Sequence, residues 1–338
     1  MNNKNITAWI LLLSLILGLP LSIAAQRGKP PVDIHTIATI PVGGSPFGMA
    51  FNPQTGEVYV ANIASDNISV IDGALNGVVA TIQLPTEASC SHPYGLGYNP
   101  RNAHLFVSCQ SYSTLAVIDS ASHSVMTTLA VGSSPMGMAF NQRNGNFYVA
   151  HSGSGEVWVI NGSTNQIESI IPLPEDAAAP LGSSPIEAAY NPRNNRLYFT
   201  NPGSNSVSVI DGSTNTVVGL IPVGDAPRGI VYDPQNNDLY VTHFGADTVS
   251  VIDSSTNTVI ATIVVGSSPV AVAYAQHTIY VSNFGSRSVS VIDDQTNAVV
   301  AEVAVGDGPG HMVYNPANRN LYVANVYSND VSVISSSP

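Results

Sequence analysis

The sequence predicts an all-β fold, a seven-bladed β-propeller with four antiparallel strands in each blade and an N-terminal strand closing the last blade. Three observations lead to this prediction. A unit of roughly 40 residues recurs seven times, each unit holds four short runs rich in Val, Ile, Thr and Tyr, and no long run has a helical period. The composition is also that of a folded, turn-rich chain, with 44% hydrophobic residues, 9% charged residues, 28 Gly and 23 Pro.

Each unit carries three anchor residues in a fixed order. A proline opens the first strand, an aromatic residue lies in the second strand, and an isoleucine lies in the third. The aromatic residue and the isoleucine are 12 residues apart in all seven units, which defines the repeat. The prolines that open the seven units are Pro46, Pro93, Pro135, Pro185, Pro227, Pro269 and Pro309.

The two ends of the repeat array complement each other. The last unit has three strands and finishes at residues 331–334, whereas residues 35–40 form a fourth strand with no unit before it. We therefore expect residues 35–40 to pair with the last unit. This pairing would close the ring and leave no exposed sheet edge.

The N-terminal segment has the pattern of a secretory signal peptide. Residues 1–25 combine Lys4, an apolar run and small residues suited to cleavage. An uncleaved anchor is the alternative, because the apolar run of 18 residues is marginal for crossing a membrane. The predicted organisation is a signal peptide, a short linker over residues 26–33 and one propeller domain over residues 34–338. The predicted location is secreted, periplasmic or cell-surface, without membrane insertion after cleavage.

The charge balance excludes several functions. The chain has 10 Lys and Arg against 22 Asp and Glu, a net charge of −12, which argues against nucleic acid as a partner. Its two lysines are Lys4 and Lys29, so the repeats cannot supply a Schiff-base or phosphate-loop lysine. Motifs for a serine nucleophile, a zinc protease or haem attachment are absent from the sequence, and no cofactor is predicted.

One segment of the repeat resembles a known family. The Tyr-Val-Ala-Asn segment at 59–62, followed by Ser-Val-Ile-Asp and Val-Val-Ala-Thr-Ile segments, is similar to the YVTN family of β-propeller repeats. The resemblance covers residues 34–338 and implies the propeller fold. Such repeats occur in archaeal surface-layer proteins and exported bacterial proteins, and similar rings serve as adhesion modules, as quinoprotein or haem-d1 domains, or as virginiamycin B lyase-like enzymes. The fold does not choose among these functions.

The two faces of the predicted ring differ in loops and charge. We call the face with the loops before the first strands (such as 41–45) and the turns after the second strands (such as 63–66) the top face. The opposite turns, such as 52–56 and 73–76, form the bottom face. Both long insertions and an excess of acidic residues fall on the top face, whereas most arginines fall on the bottom, where we expect ion pairs with nearby aspartates.

The insertions predict that the top face is the binding face, because repeat proteins vary most where they bind. The expected partner is a surface protein, a glycan or a small ligand, and the acidic charge of this face would favour a cationic one. Simple solvation of an exported surface is the alternative explanation of the charge. The protein is expected to be a monomer.

Candidate site residues are those that depart from the repeat near the predicted channel mouth. The residue that closes the second strand is Asn in four units and Cys109, His151 or His243 in the others. The residue two after the proline is small in five units and is Glu187 or His311 in the others. The predicted binding residues are His92, His151, Glu187, Arg228, His243 and His311.

These residues leave two functions open. The first is a binding module without catalysis. The second is a metal-assisted lyase or lactonase-like enzyme in which His243, His311 and Glu187 act, since such chemistry needs a general base beside a stabilising cation. A metal site of His151, His243 and His311 is a weaker alternative, and ordinary polar lining also explains these residues. A redox propeller ranks lowest, because no attachment motif exists.

The two cysteines belong to the same unit. Cys90 precedes its first strand and Cys109 ends its second, so an antiparallel hairpin would bring them together. In an exported protein such a pair predicts a disulfide. Metal binding by these thiols is the competing interpretation.

Overall fold

The computed structural model describes residues 34–85, 89–174 and 184–335. In this part of the chain 28 strands form seven four-stranded antiparallel sheets, which confirms the predicted seven-bladed propeller. The predicted signal peptide and linker lie outside the described residues. In the described ranges the one helical element is a 3-10 turn, Gln110–Tyr112, and no helix is long and apolar enough to cross a membrane.

The blades follow the proline anchors, so we number them 1 to 7 in chain order. Blade 1 comprises β2 (Pro46–Phe51), β3 (Glu57–Asn62), β4 (Asn67–Asp72) and β5 (Gly77–Gln83); blade 2 comprises β6 (Pro93–Asn99), β7 (His104–Cys109), β8 (Thr114–Asp119) and β9 (Ser124–Ala130); blade 3 comprises β10 (Pro135–Asn141), β11 (Asn146–His151), β12 (Glu156–Asn161) and β13 (Ile167–Pro172); blade 4 comprises β14 (Glu187–Asn191), β15 (Arg196–Asn201), β16 (Ser206–Asp211) and β17 (Thr216–Pro222). Blade 5 comprises β18 (Pro227–Tyr232), β19 (Asp238–His243), β20 (Thr248–Asp253) and β21 (Thr258–Val264); blade 6 comprises β22 (Pro269–Ala275), β23 (Thr278–Asn283), β24 (Ser288–Asp293) and β25 (Ala298–Ala304); blade 7 comprises β26 (Pro309–Asn315), β27 (Asn320–Asn325), β28 (Asp330–Ser335) and β1 (Thr36–Pro41).

The first strand closes the ring, as the sequence predicts. β1 pairs antiparallel with β28, with Ile40 opposite Val331. Beyond the strand, the Val42 N–H donates to the Asn329 carbonyl at 3.1 Å. The last blade is thereby completed by residues from the opposite end of the repeat array, and its outer edge is not left unpaired.

Burial explains the apolar sequence of each blade. The middle strands are covered on both sides by neighbouring blades, so residues such as Val58 and Val70 are fully buried. The fourth strands lie at the rim and expose several apolar side chains, including Val79 and Ile260. This burial on two faces accounts for the nearly continuous apolar runs of the second and third strands.

The aromatic anchor joins each blade to the next. The anchor tyrosines are buried and send their hydroxyls across the interface to a turn of the following blade. The Tyr148 hydroxyl lies 2.6 Å from Asn215 Oδ1 and the Tyr322 hydroxyl lies 2.6 Å from Asn76 Oδ1. An aromatic residue with a polar tip suits this position because its ring fills the core while its hydroxyl is hydrogen-bonded.

Candidate functional site

The first strands come closest together two residues after the proline anchors. A Cβ atom on Gly48 would overlap the carbonyl oxygen of Tyr94, and one on Gly229 would lie 2.7 Å from the carbonyl oxygen of Val270. Such close approach leaves no room for a side chain next to the neighbouring blade. Because the residues at this position are small, neighbouring first strands lie close together, and the top of the central channel is narrow.

Two larger side chains at this position meet inside the ring. Glu187 belongs to β14 of blade 4 and His311 to β26 of blade 7, and these blades are not neighbours. Nevertheless, Glu187 Oε1 lies 3.0 Å from His311 Nε2, with the two side chains 13% and 19% exposed. The contact is an ion pair when His311 is protonated. It spans the channel and joins opposite sides of the ring.

The electrostatics of the pair follow from its partial burial. Burial lowers the pKa of His311, but the carboxylate of Glu187 outweighs it and the net effect is a pKa above the ordinary value of histidine. Phe47 packs against the imidazole with ring centroids 4.8 Å apart, and Tyr94 packs on Phe47 at 4.6 Å. The arrangement therefore favours the imidazolium form of His311 beside Glu187, partly shielded by aromatic rings.

A third charged residue, Arg228, lies at the mouth. Its guanidinium carbon is 4.6 Å from the ring centroid of Phe244, a cation–π contact. Its Nε atom is buried without a hydrogen-bond partner in the described part of the chain. Both Arg228 and Glu187 act electrostatically on Tyr94, so the three charged groups share one neighbourhood. The Arg228 Nε is thus a buried donor that no group in the described part of the chain accepts from.

The surroundings of these charges are apolar. Buried side chains that directly follow the proline anchors pack together at the channel mouth, and the first residues of several top turns pack against them. These residues are Phe47, Tyr94, Met136, Ile186, Val270, Ile63, Phe244, Phe284 and Val326. Sequence reasoning selected Arg228, which directly follows its proline, but missed the apolar residues at the same position in other blades. The signal that could have found them is that this position is apolar in five of the seven units.

The structure places His151 and His243 away from the Glu187–His311 pair. The residue that closes each second strand fits a socket inside its own blade, against a glycine three residues before the proline. His243 is fully buried, its Nε2 lies 2.8 Å from Ser250 Oγ, and a Cβ on Gly224 would be 2.8 Å from its ring. Asn62 fills the same socket in blade 1 and bonds Ser69. This is a structural position, and it explains the asparagine in the other blades.

The environment of the two socket histidines also keeps them neutral. His151 Nδ1 lies 3.1 Å from the Val149 carbonyl oxygen and its ring packs on Trp158. Burial lowers the pKa of His151 and of His243 to about 4. In the described ranges, no group of three or more His, Cys, Asp or Glu side chains is arranged to hold a metal ion. The structure therefore does not bring His151, His243 and His311 together as metal ligands.

The predicted disulfide is confirmed and occupies the same socket. Cys90 and Cys109 are bonded, with Cα atoms 4.9 Å apart, and they replace the glycine and the asparagine of the other blades. The bond closes a segment with a sequence separation of 19, worth about 3 kcal/mol by the chain-entropy argument. It indicates an oxidising setting, extracellular or periplasmic.

His92 lies beside this disulfide on the top face and not in the channel. Its backbone N–H donates to Asp66 at 2.7 Å, and its imidazole Nδ1 lies 2.9 Å from Ser111 Oγ. The exposed imidazole is therefore held by the loop of its own blade. The insertion that precedes His92, residues 84–91, is described except for residues 86–88, and the other insertion, residues 174–181, lies mostly outside the described residues.

Much of the acidic charge on the top face has structural partners. Asp66 and Asp247 accept backbone N–H groups from the next blade, the latter from Ser268 at 2.7 Å. Arg287 Nε lies 2.9 Å from Asp307 Oδ1, and Asp330 accepts the amide of Asn325. These carboxylates tie blades together or hold turns, so the acidic excess does not by itself define a ligand site.

Comparisons with known proteins agree with the fold. The hydrazine synthase of Kuenenia stuttgartiensis has a TM-score of 0.76 and 19% identity, covering 93% of this chain and 99% of that chain. A catalytically inactive variant of virginiamycin B lyase from Staphylococcus aureus, solved with quinupristin, has a TM-score of 0.75 and 15% identity, covering 88% and 98%. A streptogramin B lyase has a TM-score of 0.74 and 15% identity, covering 87% and 94%. At these identities the likeness shows the fold alone.

Sequence comparison gives the family. A search of curated proteins found no significant match. These comparisons support the propeller part of the sequence-based resemblance, while the YVTN and surface-layer assignment stays a prediction. The family model described as "Lactonase, 7-bladed beta-propeller" matches residues 33–263. The chain therefore belongs to the lactonase family of seven-bladed β-propellers.

Proposed function

We propose that the channel mouth binds a small cyclic ester and that Glu187 and His311 open its ring by hydrolysis. The observation that carries this proposal is the ion pair between non-neighbouring blades, 3.0 Å long and set among apolar residues. Membership of the lactonase family supports it, as does the similar fold of proteins named virginiamycin B lyase. These relationships favour an enzyme over a module that only binds.

Each charged group has a role in this reaction. The Glu187 carboxylate accepts a proton from water as the water oxygen attacks the ester carbonyl carbon. The guanidinium of Arg228 stabilises the negative charge that develops on the carbonyl oxygen. The His311 imidazolium donates its proton to the alkoxide oxygen as the ring bond breaks. The proton on Glu187 then returns to His311 through their contact, and the product is an open-chain hydroxy acid.

The test is hydrolysis of a panel of lactones and of quinupristin by the purified, disulfide-bonded protein. Glu187→Gln and His311→Gln should each lower kcat/KM by about 100-fold or more, since general acid–base groups contribute on that scale. His123→Gln is the matched control, because His123 Nε2 makes a similar contact with Glu57 at 3.3 Å on the bottom face. It should leave the rate unchanged.

Two results would contradict the enzyme proposal. One is ring opening that survives in both channel variants while they remain folded by thermal melting. The other is a wild-type protein that opens none of these esters. Binding of a lactone without turnover, seen as a higher melting temperature, would instead support the binding module.

The binding module is the second candidate, and an exposed aromatic residue on the top face favours it. Tyr327 is 64% exposed, and its ring packs against Phe284 with centroids 5.3 Å apart. Exposed tyrosines contribute strongly to recognition because they offer a large rigid surface and a hydroxyl. In this proposal the partner is a surface protein or a glycan outside the cytoplasm, and the protein acts as a monomer.

A further inference from the structure

The bottom face has a contact between blades that gains a carboxylate at one interface, the one between blades 5 and 6. At the end of the first strand an asparagine usually donates its amide to the next blade. For example, Asn99 donates to the Gly162 carbonyl at 2.8 Å, and Asn191 donates to the Ser254 hydroxyl at 2.8 Å. Between blades 5 and 6 the donor is replaced by Asp233, and the residue facing it is Asp294. Two carboxylates thus meet where an amide donor normally meets an acceptor.

Blade 5 also lacks an arginine in the bottom-face turn between its first and second strands. In blades 3 and 4, Arg143 and Arg193 cross to the next blade and donate to the carbonyl oxygens of Pro192 and Pro234. These bonds show that Arg143 and Arg193 bind backbone carbonyls of the next blade, where the sequence led us to expect ion pairs with aspartates. The equivalent residue of blade 5 is Gln235. The positive charge that the interfaces after blades 2, 3 and 4 contain is therefore absent here.

The facing turn of blade 6 is two residues shorter than in the other blades, and a pocket opens beside it. This turn contains Gln276 and His277, both with positive φ values, of 47° and 64°. The pocket has a volume of about 410 Å³, and its walls include Asp238, His277 and Asp294. That space is far larger than a single metal ion needs and suits a polyatomic group.

The carboxylates in this region are buried without enough donors. Asp233 is fully buried and Asp294 is 4% exposed. In the described part of the chain, Asp233 Oδ2 and both side-chain oxygens of Asp294 have no hydrogen-bond partner. His277 Nδ1 lies 3.3 Å from Asp294 Oδ2, but this imidazole is 55% exposed, and the other Asp233 oxygen accepts the Gln235 N–H. Unpartnered buried carboxylates are costly, so they favour a cation with several N–H groups.

The raised pKa values of Asp233 and Asp238 agree with negative charge that nearby cations do not compensate. Burial raises the pKa of Asp233 to about 6, with a further contribution from the charge of Asp294. Burial also raises the pKa of Asp238 to about 6, helped by the charges of Asp253 and Asp233. A bound cation would stabilise the ionised forms and lower these pKa values.

We infer that the pocket between blades 5 and 6 binds the guanidinium or ammonium group of a cationic ligand. The external group takes the place that an arginine of the chain holds at the preceding interfaces, and its N–H groups satisfy the oxygens of Asp294, which lines the pocket and faces the buried Asp233. The source is either a small free cation or a basic side chain of a partner. The pocket lies on the bottom face, so its occupancy is independent of the reaction proposed at the channel mouth.

The experiment measures binding of agmatine to the full disulfide-bonded chain by calorimetry at pH 7.5 in a buffer without amines. Asp294→Asn should weaken agmatine binding at least tenfold. Asp247→Asn, which removes the same charge from the top face, should leave it unchanged. Asp233→Asn restores the asparagine of the other blades and keeps the test valid if Asp294→Asn does not fold. Binding should also weaken from pH 7.5 to pH 5, because carboxylates with a pKa of about 6 become protonated.

Further arms separate the possible ligands. Binding of an acetylated Gly-Arg-Gly amide as tightly as agmatine indicates a basic side chain of a partner, and binding of agmatine alone indicates a small free cation. Equal agmatine binding by Asp294→Asn and Asp247→Asn would overturn the inference. So would stabilisation of the wild type by Ca²⁺ or Mn²⁺, lost in Asp294→Asn, with no agmatine binding, because the pocket would then be a metal site.

Discussion

Single residues that break the repeat carry the chemistry in the proposed function. Seven aligned units make such departures visible in the sequence, and Glu187 and His311 stand out because five units have a small residue there. The same reasoning selected His151 and His243, which the structure places in buried sockets within their own blades. The sequence does not distinguish the two cases, because the direction of a side chain depends on the packing of its blade against the next.

The contact between Glu187 and His311 across the ring could not be predicted from the sequence either. Glu187 and His311 are separated by more than 120 residues, and their contact depends on the diameter of the channel. The disulfide was predictable because Cys90 and Cys109 belong to one hairpin, where strand pairing fixes their proximity. Contacts within one hairpin can therefore be predicted from the repeated sequence. Contacts across the channel axis can be predicted only when the geometry of the closed ring is known.

The first prediction concerns the glycine at the narrowest part of the channel. Gly48→Ala should lower the free energy of unfolding by about 1–3 kcal/mol, because its Cβ would overlap the Tyr94 carbonyl oxygen. Gly77→Ala is the control, since a Cβ there would have no atom within 4 Å. Chemical denaturation of both variants checks the prediction. Equal stability of the two would show that the first strands are not in close contact.

At the scale of elements, the strands were predictable and the turn contacts were not. The closing strand was expected at residues 35–40 and is found at Thr36–Pro41, because the Val, Ile, Thr pattern marks it clearly. For Arg143 and Arg193 the expected aspartate partners were wrong, since their guanidinium groups bind carbonyl oxygens of the next blade. Nearby aspartates such as Asp72 instead accept N–H groups of their own turn. Such local hydrogen bonds are short-range and compete well with exposed ion pairs.

The second prediction concerns the strand that closes the ring. Removal of residues 34–40 should destabilise the whole propeller, because β28 loses its partner and the last blade exposes an edge. A chain that starts at residue 34 is the control and should keep the full melting temperature. Differential scanning calorimetry compares the two. If the chain without residues 34–40 melts like the control, the ring does not depend on this closure.

At the scale of the whole molecule, the two faces of the ring have different tasks. The top of the channel brings Glu187, His311 and Arg228 into an apolar mouth, and the bottom has a pocket of buried carboxylates between blades 5 and 6. The repeat accounts for most of the other polar groups, which join blades through tyrosine hydroxyls, asparagine amides and aspartates. Function is thus concentrated where the repeat is interrupted.

The ion pair across the channel also links stability to pH. Because Glu187 raises the pKa of His311 in the folded protein, the pair stabilises the fold fully below the ordinary histidine pKa. This contribution is lost as the pH rises through the higher pKa of the folded state. The same protonated form of His311 is the proton donor in the proposed ring opening, so stability and activity should decline over the same pH range.

The most direct test of the pair is an NMR titration of the His311 imidazole in the wild type and in Glu187→Gln. A titration midpoint above the ordinary histidine value of 6.5 is expected in the wild type. A lower midpoint is expected in Glu187→Gln, since burial then acts on the imidazole without a compensating charge. A wild-type midpoint at or below 6.5 that does not change in Glu187→Gln would contradict the ion pair and the site built on it.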